Sequence, residues 1–196
     1  MKPVLVLYAT REGQTRSIAE YLAAIIRTRG FATSIFDAAH LPPEFKLEDY
    51  SLAVLAASVH QQRHESEIVN FVKKHRAELE AMPTAFLSVS LSEAAVEDDE
   101  ASRENRAKAA VDVRAMIDEF LEETGWHPSK IKAVAGALMY TKYNFLVRLV
   151  MKRIARAAGE STDVSHDHVY TDWAALDIFV DELTAMGTQP AHTQEC

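Results

Sequence analysis

Pro3-Val4-Leu5-Val6-Leu7-Tyr8-Ala9, running straight into Thr10-Arg11-Glu12-Gly13-Gln14-Thr15, is the stretch from which the fold is read. Its first half is an uninterrupted apolar run of strand length, the pattern of a parallel strand covered on both faces. Its second half is polar and carries one glycine. Beyond it the apolar period becomes that of a helix: Ile18, Leu22, Ile25 and Ile26 fall on one face, and Gly30 is placed as a C-terminal cap. A strand, a short polar loop and a helix in that order begin a βαβ unit. In an open parallel sheet such a loop lies at the carboxyl end of the strand, where ligands bind.

The alternation continues along the chain. Phe31–Phe36 and Leu52–Ala57 read as the second and third strands. A helix from about Glu65 to Leu79 turns Ile68, Val72 and Leu79 inward, and Pro83 blocks its continuation. Thr84–Ser90 is a fourth strand, followed by an acidic loop and a long helix from Arg103 to Glu123 that carries Val113, Ile117, Phe120 and Leu121 and closes at Gly125. Ile131–Leu138 is a fifth strand. The last helix, Asp172–Met186, shows Trp173, Leu176, Val180 and Leu183 at helical spacing. Strands alternating with amphipathic helices imply an α/β fold, a doubly wound five-stranded parallel sheet of order 2-1-3-4-5. One domain over residues 1–187 is expected, with a loose tail over 188–196. Residues 139–171 exceed a usual connection and are expected to form an insertion after strand five.

Composition narrows the function. A net charge of −8 disfavours a general nucleic-acid binder, because a phosphate backbone would be repelled. The single cysteine, Cys196, excludes an intramolecular disulfide and favours a reduced, cytoplasmic setting. The N-terminal apolar run is too short for a secretory core, and no stretch approaches the roughly 18 apolar residues of a spanning helix, so any membrane contact is expected to be peripheral.

Residues Thr10–Thr15 carry the chemistry. The hydroxyls of Thr10 and Thr15, with main-chain N–H groups at the start of a helix, supply neutral donors that ring a phosphate, aided by the helix dipole. Gly13 lets the backbone approach the ligand. The plainer reading is that these residues only cap a helix. A G-x-G-x-x-G fingerprint is excluded, since no glycine follows Gly13 until Gly30, and a Walker loop fails for the same reason. One phosphate held by hydroxyls and amides on a five-stranded sheet points to flavin mononucleotide (FMN) before NAD or ATP.

Tyr8-Ala9-Thr10-Arg11-Glu12-Gly13-Gln14-Thr15 resembles the FMN phosphate loop of flavodoxins, and Arg-Glu-Gly-Gln-Thr is similar to that of the menaquinone-dependent protoporphyrinogen oxidases. Further blocks resemble that family in the same order: Ala57-Ser58-Val59 with Phe71-Val72-Lys73-Lys74-His75, Ala135-Gly136-Ala137-Leu138, and Gly159-Glu160-Ser161-Thr162-Asp163 with Val169-Tyr170-Thr171-Asp172-Trp173. The resemblance implies a flavodoxin-like fold with a helical insertion, and oxidation of protoporphyrinogen IX in haem synthesis. It further implies FMN as cofactor and menaquinone or ubiquinone as acceptor.

In such a fold the flavin ring lies between the loops after strands three and four, here Ser58–His64 and Ser88–Glu100. Ser58, Val59 and His60 in the first, and Ser88, Val89, Ser90 and Leu91 in the second, join Thr10, Arg11, Glu12, Gly13, Gln14 and Thr15 as expected cofactor-binding residues. Where the resemblance implies a Gly-His or aromatic pair, the first loop reads Gln61-Gln62-Arg63-His64, and neither loop contains Phe, Tyr or Trp. His60 and His64 would pair on a metal only if helical, and without a third ligand they read as solvated loop residues. The acidic run Glu97–Glu100 reads as the electrostatic lead-in to the following helix. From Tyr143 to Ala158, Leu146, Val147, Val150, Met151 and Ile154 share one arc of a helical wheel while Arg148, Lys152 and Arg156 face away. Lys142, Arg148, Lys152 and Arg156 are candidates for contacting substrate propionates or an anionic membrane surface, against a helix laid on the domain with its cations solvated. Two rival functions stand beside the oxidase: a flavodoxin-type electron carrier, disfavoured by the missing loop aromatics and the basic insertion, and an FMN-free interaction domain, disfavoured by the intact Thr10–Thr15 loop.

Overall fold

A computed structural model describes residues 2–138 and 168–187. Strand β1 (Val4–Ala9) leads to helix α1 (Gln14–Thr28), and β2 (Thr33–Asp37) follows. Next come β3 (Leu52–His60), a two-residue β4 (Arg63–His64), α2 (Ser66–Glu80), β5 (Thr84–Ser90), α3 (Leu91–Glu97), α4 (Arg103–Thr124) and β6 (Lys130–Ala135). The short strands β7 (Ala137–Leu138) and β8 (His168–Val169) precede α5 (Trp173–Gly187). The parallel strands lie in the order β2-β1-β3-β5-β6, which is 2-1-3-4-5 once the antiparallel return β4 is set aside.

The continuous apolar strands arise because both faces are covered. On β1, Val4, Val6 and Tyr8 pack with Ile18, Leu22 and Ile26 of α1 and Leu176, Val180 and Leu183 of α5. Leu5, Leu7 and Ala9 point the other way, into a core with Ile68, Val72 and Leu79 of α2 and Phe120 of α4. A strand alternates its side chains between faces, so with both faces covered every position is buried and is either apolar or, like Ser88 of β5, hydrogen-bonded.

Element ends moved where a backbone hydrogen bond outranked apolar pattern. The second strand begins at Thr33, because Phe31 N–H bonds to Ile26 O and Gly30 N–H to Arg27 O, with Gly30 at φ +87°, and these bonds close α1. The expected acidic loop after the fourth strand begins instead with α3: the Ser90 hydroxyl accepts from Glu93 N–H at 3.3 Å and starts the helix at once. Glu97 belongs to that helix. The long helix that follows is capped by the Ser102 hydroxyl, which accepts from Asn105 N–H, while Asp99 pairs with Arg106 at 3.4 Å. The expected fifth strand divides at Gly136, whose N–H donates to Ser90 O and whose carbonyl accepts from Tyr170 N–H. Ala137 and Leu138 then leave the main sheet and pair antiparallel with Val169 and His168.

Among the described residues no helix is long and apolar enough to cross a membrane. The basic stretch 143–158, with Arg148, Lys152 and Arg156, as well as Lys142, the Gly159–Asp163 block and the tail 188–196, lies outside the described residues.

Candidate functional site

Three neighbouring strands deliver the candidate residues to one edge of the sheet. In the register, Ala9 of β1 stands beside Ala57 of β3, and Ala57 stands beside Ser88 of β5. The segments leaving these strands therefore emerge side by side at their carboxyl ends, the position at which doubly wound sheets bind ligands.

The first segment is built around Gly13. Its φ of +97° is left-handed, a conformation that a side chain disfavours, and its N–H is folded back to the Thr10 hydroxyl at 2.9 Å. Helix α1 starts there with no side-chain cap and no acidic residue in its first turn. Its leading N–H groups therefore lack intrahelical acceptors and present the positive end of the helix dipole. Thr15 is fully buried, and its hydroxyl has no hydrogen-bond partner among the described residues. A buried hydroxyl without a partner costs free energy unless something accepts its proton, and at an uncapped helix start a phosphate oxygen is the fitting acceptor. These residues fit a bound phosphate monoester.

Gln14 is turned the other way. It is buried, and its Nε2 donates to the Thr171 hydroxyl at 2.8 Å, which in turn donates to Ala135 O at 2.8 Å. Trp173 lies 4.8 Å from the Tyr21 ring, and the Tyr21 hydroxyl donates to Asp177 at 2.8 Å. The Thr171–Trp173 stretch is thus seated on α1, with Thr171 at Gln14 in its first turn and Trp173 against Tyr21 further along.

The second segment is a tight hairpin rather than an open loop. Val59 pairs with His64 and His60 with Arg63, so His60 and His64 lie on facing strands and not along a helix. The turn residues Gln61 and Gln62 have φ of +50° and +66°, the two positive values that a two-residue hairpin of this hand requires. His64 is buried, which corrects its reading as a solvated residue. Its ring packs against Phe86 and Phe120, its Nε2 lies 2.8 Å from the Ser88 hydroxyl, and burial lowers its pKa to about 4. Glu65, 5% exposed, takes Arg11 Nε at 3.0 and 3.1 Å on its two oxygens, and the Ser58 hydroxyl at 3.3 Å.

The third segment holds its side chains inward. Ser88 is paired with His64, Val89 belongs to the core and Ser90 caps α3. Glu93, in the first turn of α3, has its carboxyl pushed up to about 7 by burial, reinforced by the Glu97 charge and opposed by Lys132. Sequence reading passed over Glu65, Thr171 and Glu93. A signal existed for the last, since Ser90-Leu91-Ser92-Glu93 has the Ser-x-x-Glu form of a capping box. For the other two, nothing local distinguishes a buried carboxylate or hydroxyl from a solvated one.

The flavodoxin domain family matches residues 5–165. A protoporphyrinogen IX dehydrogenase [quinone] of Escherichia coli (strain K12) is 33% identical over 95% of this chain and 97% of that protein. A protein of the same name from Leishmania major is 34% identical over 93% of this chain and 74% of that protein. Among solved structures, oxidised Flavodoxin 1 from Bacillus cereus aligns over 93% of this chain and 97% of its own, at 16% identity and a TM-score of 0.51, which bears on the fold alone.

Proposed function

The chain belongs to the flavodoxin domain family and, within it, to the quinone-dependent protoporphyrinogen IX dehydrogenases, and from that premise we propose that it oxidises protoporphyrinogen IX to protoporphyrin IX with FMN as cofactor and a membrane quinone as acceptor, in haem synthesis. The observation that carries the FMN assignment is the buried Thr15 hydroxyl without a partner among the described residues, set beside a helix start with no side-chain cap. When bound, the flavin supplies the redox chemistry, accepting the electrons removed from the porphyrinogen.

The chain's own residues bind and orient. Thr15 and the first N–H groups of α1 hold the phosphate, and Thr10 keeps Gly13 in its left-handed conformation by accepting its N–H. Ser58, Val59 and His60 at the end of β3, and Ser90 and Leu91 where β5 passes into α3, border the ring. No aromatic side chain stands in either bordering segment, which leaves the ring accessible to a bulky tetrapyrrole. Lys142, Arg148, Lys152 and Arg156 supply the positive charge that substrate propionates or an anionic bilayer would meet. A quinone acceptor places the reaction at the membrane surface.

The test is anaerobic incubation of FMN-reconstituted protein with protoporphyrinogen IX and a menaquinone or ubiquinone analogue, following porphyrin fluorescence. Fluorescence that rises with protein and quinone supports the reading. A rate no faster than the protein-free control, or rapid flavin reduction by NADH or NADPH in its place, overturns it.

A further inference from the structure

We propose that Glu65 is a positioning residue that clamps the phosphate loop to the β3–β4 hairpin through Arg11, so that the two halves of the flavin site are held at one fixed spacing. The inference rests on the FMN reading above and concerns how this chain favours the phosphorylated flavin.

A carboxylate as buried as Glu65 is stable only with charged or hydrogen-bonding partners. It draws them from two places. Arg11 comes from the loop after β1, 54 residues away, and places its Nε 3.0 and 3.1 Å from the two carboxylate oxygens. Ser58 comes from the end of β3, donating its hydroxyl at 3.3 Å, while its carbonyl accepts the Glu65 N–H at 3.1 Å. One carboxylate therefore bridges the segment assigned to the phosphate and the segment assigned to the ring.

Arg11 transmits this hold because its loop is closed on itself. Thr10, next in the chain, accepts the N–H of Gly13, and Gln14 is anchored to Thr171. A displacement of Arg11 thus carries the whole turn from Thr10 to Gln14. The same contact commits the Nε of Arg11 to Glu65, and the neutral donors of Thr15 and the α1 N–H groups stand beside it for the phosphate. Pre-setting two subsites at the spacing of a ligand favours a molecule that occupies both and does nothing for one that occupies only one.

The test compares FMN and riboflavin binding to flavin-free full-length protein, followed by quenching of flavin fluorescence. Glu65→Gln keeps the side-chain shape and removes the charge, and Arg11→Gln breaks the same contact from its half-exposed side. Each single variant is expected to weaken FMN about tenfold and riboflavin less than about threefold, and the double variant should be no weaker than either single one. Equal losses for the two flavins, additive losses in the double variant, or unchanged FMN affinity would each overturn the clamp. Should Glu65→Gln not fold, Glu65→Asp, which keeps the charge but draws the carboxylate back from Arg11, is expected to give the same FMN-selective loss, and an equal loss for both flavins overturns the clamp. A wild-type chain that takes up no FMN would remove the functional reading and the clamp together, whereas a wild type that binds FMN while both variants keep its preference would remove the clamp alone.

Discussion

Removing the carboxyl of Glu93 and, separately, the imidazole of His64 should expose two pH dependences that oppose each other in the wild-type chain. The folded chain holds the Glu93 carboxyl at about 7, against 4.5 for an unperturbed group. Between those values the folded state binds more protons than the unfolded one, so the contribution is fully present below pH 4.5 and is lost as pH rises to 7. His64 behaves in the reverse sense: buried at about 4, against 6.5 in the unfolded chain, it contributes stability that is present above pH 6.5 and lost as pH falls towards 4. Each shift taken at face value corresponds to about 3 kcal/mol. Partial exposure of Glu93 admits solvent screening and reduces its share to about 1–2 kcal/mol. Urea titrations followed by circular dichroism from pH 4 to 7.5 measure the effect. The stability of Glu93→Gln relative to wild type should rise by about 1–2 kcal/mol from pH 4.5 to 7.5, and that of His64→Gln should fall by about 2–3 kcal/mol from pH 4 to 7. Subtracting the wild type at each pH cancels the constant cost of either substitution, so only the slope counts. Two flat differences, or two of the same sign, would refute the assignment of these groups as a buried carboxyl and a buried neutral imidazole.

Thr15→Val, nearly isosteric, should make the flavin-free protein at least as stable as wild type by thermal unfolding, because it removes a buried hydroxyl that has no partner among the described residues, yet weaken FMN about tenfold through loss of a donor to a charged phosphate. Thr171→Val strips Gln14 and Ala135 of their shared partner and should cost about 1–3 kcal/mol in urea titrations, the range for buried polar groups left unpaired. Gln62→Gly relieves a side chain held at φ +66° and should raise stability by about 1 kcal/mol in the same assay.

What the chain declares by itself is local. Apolar runs of strand length, helical stripes such as Ile18, Leu22 and Ile26, and the stops at Gly30 and Gly125 determine the order of elements, and the order of elements determines a parallel sheet. The polar turn between β1 and α1 is legible for the same reason, since Thr10, Gly13 and Thr15 lie within six consecutive residues and the strand before them and the helix after them are both marked by local pattern. Where the reading slipped, a single hydrogen bond decided between neighbours: Ser90 starts α3 in a stretch that acidic composition marks as loop, and Gly136 turns Ala137 out of the main sheet to meet Val169. What only the tertiary structure decided is which polar groups lie buried and whom they face. Glu65 reaches Arg11 across 54 residues, Gln14 reaches Thr171 across 157, and His64 reaches Ser88 across 24. Such pairings arise from strand order and from the packing of helices on the sheet. The hydrophobic pattern that dictates the fold carries no record of them, because a carboxylate or an imidazole has the same letter in solvent as in the core.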